Sequence, residues 1–235
     1  MADTAFISAG YFLTRPCPRP TWAHGGTGLL PESIVTLSTC LIDVVPSLWP
    51  STCEPPCRPS ESALASLGIS SLAVPDIEAW TTAIYDAAPG EWPVPFATLE
   101  MLHAFVDHFV ARDANVLLVG AALPTDAVAA VLAQQHPSMA ASERYHAIRR
   151  ALTLDATGTF IGYEVLGDGI TENHSIVCTG GEVALRDSLG ISPNSHGLLD
   201  SLDDARRAAA WASEDGHAEP VDYYPWRLCL YPRHA

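Results

Sequence analysis

Between Phe160 and Cys178 the chain reads Phe-Ile-Gly-Tyr-Glu-Val-Leu, then Gly167-Asp168-Gly169, then His174-Ser-Ile-Val-Cys178. β-Formers on both sides of a glycine-rich turn specify two short strands, 159–166 and 175–179. Everything after this pair reads as helices and a strand that pack back onto it. A helix over 182–189 stops at Gly190, and a second starts at Ser201 with Leu202, Ala205, Ala209 and Ala212 as its apolar stripe. The terminal run Tyr223–Tyr231 reads as a strand whose Pro225 confines it to an edge or places the proline near its beginning.

Upstream, 5–13 is rich in β-formers, and 31–45 reads as a strand running into a short buried piece. Five prolines make 46–59 a loop. Helices follow over 60–67, over 76–87 with Ile77, Trp80 and Ile84 on one face, and over 98–112 with Thr98 as N-cap. The compact apolar run 115–122 suits a central strand, and Thr125 then caps a helix carrying Val128, Val131 and Leu132. That helix–strand–helix order suggests one α/β crossover. The expected fold is therefore α+β: a single mixed, largely antiparallel sheet flanked by helices. It forms one domain over 1–235 with two lobes, 1–152 and 153–235.

Charge and composition exclude several functions. All twelve basic residues are arginine, which removes Schiff-base, Walker A and kinase strand lysines. Gly-Ala-Ala-Leu-Pro after the 115–122 strand is not a dinucleotide fingerprint. A net charge of −15 repels nucleic acid and anionic membranes and attracts basic partners. No apolar run reaches the roughly 18 to 20 residues of a membrane span, and the N-terminus lacks a basic signal region. A cytoplasmic protein with reduced thiols and no cofactor is the expectation.

Chemistry concentrates at a few positions. His174 and Cys178 fall on one strand face but roughly 13 Å apart, too far for direct proton transfer. A thiolate mechanism would need another imidazole, such as His196 or His24. Glu164, if it faces inward, needs a donor such as His174, Arg227 or Asn194; facing outward, the commoner outcome, it is one more surface acid. An enzyme would therefore rest on Cys178, His174 and Glu164. A binding surface would instead draw on Glu164 and Asp168 with Tyr223, Tyr224, Trp226 and Arg227, the composition of interface hot spots. Core packing explains those aromatics about as well, and the same holds for Trp22, Trp49 and Trp92. His103 and Asp107, one helical turn apart, could share a metal or a proton; a satisfied core-edge histidine is the commoner outcome. Cys53 and Cys57 have the spacing of a zinc pair, with Cys17 and Cys40 as further ligands, but the intervening prolines favour plain loop thiols.

One resemblance runs through these residues. Gly162-Tyr163-Glu164, His174-Ser175, Cys178, Leu189-Gly190-Ile191, Asn194, Gly197-Leu198, Glu219-Pro220-Val221 and Tyr224-Pro225-Trp226 resemble bacterial immunity proteins of polymorphic-toxin loci. The likeness covers mainly 158–232. It implies a cytosolic, non-enzymatic protein that binds and blocks a toxin domain; the alternative is a cysteine- or carboxylate-dependent hydrolase or transferase.

Overall fold

A computed structural model describes residues 5–20, 29–44, 59–87, 96–133, 147–168, 173–214 and 218–234. The α+β expectation holds. Five strands, β1 (Phe6–Thr14), β4 (Leu117–Pro124), β7 (Tyr223–Tyr231), β5 (Thr159–Asp168) and β6 (Asn173–Ser175), form one sheet in that spatial order. A separate two-stranded ribbon joins β2 (Cys17–Pro18) to β3 (Ser33–Ile34), which is all the strand found over the expected 31–45 segment. Among the described residues every strand pairing is antiparallel. The expected α/β crossover is therefore absent there, because β5 pairs with β7 rather than returning beside β4.

β7 is the central strand rather than an edge, and the second expected outcome holds, with Pro225 near the beginning of the strand. The proline rule still operates locally: β4 pairs with Arg227–Tyr231 only, so at Pro225 the strand is paired with β5 alone. Alternate residues of β7 face opposite ways and organise two layers. On one face Trp226 and Leu228 join Phe12, Val119, Ala121, Leu166, Leu198 and Val131 of helix α4 (Val128–Ala133). The other face is split. Cys229 and Tyr231 pack beneath α1 (Glu61–Ser66), α2 (Val74–Ala87) and α3 (Leu99–Phe109), whereas Tyr223 packs with α5 (Gly181–Leu189) and α6 (Leu202–Ala212). Arg227 lies between those two helical groups.

The helices begin where side-chain oxygens meet their first N–H groups: Ser60, Thr98 and Ser201 accept from Ala63, Met101 and Asp204 at 3.1, 3.2 and 3.0 Å. The expected strand at 175–179 is instead β6 followed by a 3₁₀ turn, Ile176–Thr179. A local capping box diverts it: the Ser175 hydroxyl accepts from Val177 N–H, and the Cys178 sulfur accepts from Ser175 N–H at 3.2 Å.

The Asn194–Leu198 segment is a clasp on β5. Asn194 donates to the Ile161 carbonyl at 2.9 Å and accepts from the His196 and Leu198 N–H groups at 2.8 and 3.1 Å. It closes on the bulge at Gly162, whose φ of 138° suits glycine and where a Cβ would lie 2.7 Å from Leu198 Cβ. Gly197, at φ 78°, lies against Ile34 with room for no side chain.

Candidate functional site

The chemistry-bearing residues of the sequence do meet, but as a structural knot. Glu164 is 3% exposed on β5 opposite Trp226. Its carboxylate accepts from the Thr36 hydroxyl and, at 2.9 Å, from Leu37 N–H; these are its donors, not His174, Arg227 or Asn194. The Thr36 hydroxyl in turn accepts from Ser38 N–H at 3.0 Å, and the Ser38 hydroxyl bridges the Asn173 carbonyl at 2.7 Å and the Cys178 sulfur at 3.1 Å. One carboxylate thus anchors an irregular segment with few backbone ladders of its own. Glu164→Ala strands a buried N–H and a buried hydroxyl, and is expected to lower stability by about 2–4 kcal/mol in denaturant unfolding. Glu164→Gln, which keeps an acceptor, should lose less.

The imidazole partner of His174 is Cys40, with Sγ 3.0 Å from Nδ1. Sequence spacing offered no signal for this contact, because 134 residues separate the two. Cys178 adjoins Cys40, but burial pushes its thiol up from the ordinary value and nearby Glu164 adds to this, against hydrogen bonds from Ser38, Ser175 and Cys40. A protonated, partly buried thiol is a poor nucleophile. The void beside Glu164, Ser175 and Glu182 measures about 10 Å³, far below the hundreds of Å³ that hold a substrate.

The expected binding aromatics are mostly core. Trp226 and Tyr223 are 1% and 4% exposed, and Glu164 is buried with them, so these three present no contact surface; Tyr224 is half-buried. Their alternation on a central strand puts both rows under cover. Asp168 closes β5 opposite Asn173. Arg227 reaches an open cavity. Cys53, Cys57, Trp22, Trp49, Trp92 and His24 lie outside the described residues, among which no cluster suited to a metal ion occurs.

His103 is buried and stacks on His234 with ring centroids 3.6 Å apart, while Asp107 pairs with His234 at 3.1 Å instead of with His103. Burial, then the charge of His234, lowers the His103 pKa, and Asp107 offsets this in part. The unfolded chain therefore binds this proton more readily than the folded one. Stability from this site is complete above roughly pH 6.5 and falls as pH drops below it. His103→Leu is expected to flatten the stability profile below about pH 6.5, measured by urea titration.

A different surface is charged throughout. From Ser60 to Phe109 the sequence holds Glu61, Asp76, Glu78, Asp86, Glu91, Glu100 and Asp107, with no arginine and no lysine. Glu61, Asp76, Asp86 and Glu100 are exposed on α1, α2 and α3. Glu61, Asp76 and Glu100 fall in first turns, where the helix dipole favours a carboxylate. In the 3₁₀ turn between α1 and α2, Leu72 is 87% exposed. No described helix is long and apolar enough to cross a membrane. Comparison with protein-family models, curated proteins and solved structures finds no match.

Proposed function

We propose that this chain is a non-catalytic binding protein of the immunity type, which engages and neutralises a basic toxin domain through its α1–α3 layer. The observation that carries the reading is the sign of that layer: from Ser60 to Phe109 its sequence holds acids and no arginine, with Arg112 and Arg233 standing only beyond the C-terminal end of α3. A one-signed face steers an oppositely charged partner and raises association rate and specificity. Leu72, standing out of that face, has the character of an apolar anchor within a polar surround. The protonated Cys178 thiol and the closed void at Glu164 weigh against chemistry at that knot.

The partner tested is the polypeptide encoded by the adjacent reading frame. Its association rate with this chain is expected to fall roughly tenfold or more between low salt and about 0.5 M salt, with dissociation changed less. A salt-independent association rate, or no binding at all, overturns the reading.

The Cys40–His174 contact favours a second reading, a thiol-dependent hydrolase or transferase. The two separate cleanly: Cys40→Ala and His174→Ala leave partner binding intact under the first and abolish turnover under the second.

A further inference from the structure

A cavity of about 990 Å³ opens on the sheet face shared by the two helical groups. Its floor follows from strand register. Ala122 on β4, Arg227 on β7 and Tyr163 on β5 are cross-strand partners in one row, so they share a face. The alanine leaves space beside the guanidinium. Phe6 and Phe160 flank that guanidinium, with ring centroids 5.1 and 5.2 Å from it, and Tyr163 packs on both rings, at 6.1 and 5.1 Å. Three aromatic side chains thus hold one planar cation in place.

That cation lacks what arginine normally finds. Arg186, Arg206 and Arg207 each reach a carboxylate, at 2.8, 2.5 and 2.9 Å. Arg227 forms no ion pair among the described residues, and its Nε is buried without a hydrogen-bond partner. Its polar neighbour is the buried Cys229 thiol, a weak acceptor. An unpaired guanidinium in a partly desolvated site is unfavourable unless an anion completes it. Arg206, the other arginine of the lining, is already neutralised by Asp126 and Asp203.

We infer that this cavity binds a small carboxylate carried on an apolar or aromatic body, with Arg227 as its anion receptor. A guanidinium fork matches a carboxylate in a bidentate arrangement. Leu154, Leu202 and Phe160 supply apolar wall for the body. A single negative charge is selected over a phosphate dianion, because Asp155 and Asp203 also line the cavity and the chain as a whole is acidic. The site is independent of the acidic layer and does not rest on the protein-binding reading.

The test is titration of the ¹⁵N-labelled full chain with phenylacetate, with phenylacetamide as neutral isostere and inorganic phosphate as competing anion. The readout is the Arg227 Nε–Hε resonance, assigned by its loss in Arg227→Lys. Phenylacetate is expected to shift it saturably with a Kd on the order of 1 mM, and the amide is expected to leave it unmoved. Followed instead by the backbone amide resonances of the cavity lining, Arg227→Lys should bind phenylacetate roughly tenfold more weakly, since an ammonium offers no fork. Phe160→Leu, at a half-exposed cage wall, should also weaken binding while the Nε signal persists for observation. An unmoved resonance, equal shifts with acid and amide, or tighter saturation by phosphate each overturn the assignment.

Discussion

Trp226→Ala is expected to lower the stability of this protein by about 3–5 kcal/mol. The indole is 1% exposed on the central strand, clustered with Leu166, Leu198, Leu228 and Val119, and its cross-strand neighbour is Glu164. Truncation removes a large apolar surface and opens a cavity that the surrounding packed core cannot collapse to fill. For a chain of this size the same loss corresponds to a Tm lower by roughly 6–20 °C. Urea unfolding and calorimetry measure it directly. Trp226→Phe should cost much less, because an aromatic ring still fills most of the space. The result also separates core from interface: unchanged stability with lost partner binding would return Trp226 to the contact surface.

How far the fold was legible depended on whether the determining interactions were local. The helices around Trp80, Val106 and the alanines of α6 followed from spacing, with Thr98 and Ser201 as caps; the Ser60 cap was not read from the sequence. Antiparallel strands around a glycine turn were equally readable. Strand order was not. Pro225 left two possibilities, an edge strand or a proline near the strand's beginning; the second holds, since β7 is central and β4 ends its pairing before reaching the proline. The 175–179 error had a local cause visible only in three dimensions, the Cys178 sulfur capping Ser175 N–H.

The site was harder still. Glu164 faces inward, against the commoner expectation of a surface acid, and its donors come from 36–37, a stretch with no periodic signal, rather than from the three residues the sequence offered. Arg227 was picked for its aromatic neighbours in sequence. Its actual companions, Phe6 and Phe160, arrive from β1 and β5 through register that sequence spacing does not encode. The acid-only run from 60 to 109 was legible as composition. Its meaning as one face required knowing that α1, α2 and α3 all cover the same end of the sheet.

Reversing that face is expected to have the largest effect on binding. Glu61, Asp76, Asp86 and Glu100 are exposed, so replacing all four by lysine should leave the core intact, with first-turn losses of a few tenths to about 1 kcal/mol each. Like charges then meet across the contact, and steering that raised encounter becomes a barrier. Association with the adjacent-frame polypeptide is expected to slow roughly 10- to 1000-fold. A control variant carries lysine at Glu32, Asp187, Glu214 and Asp222, acids exposed elsewhere, and so has the same net charge. Measured side by side by biolayer interferometry, the α1–α3 variant should lose binding while the control keeps a rate within about threefold of the parent, since exposed charges beyond a Debye length are screened. Equal losses in both variants, or unimpaired binding by the α1–α3 variant, would contradict the assignment of the partner to this layer.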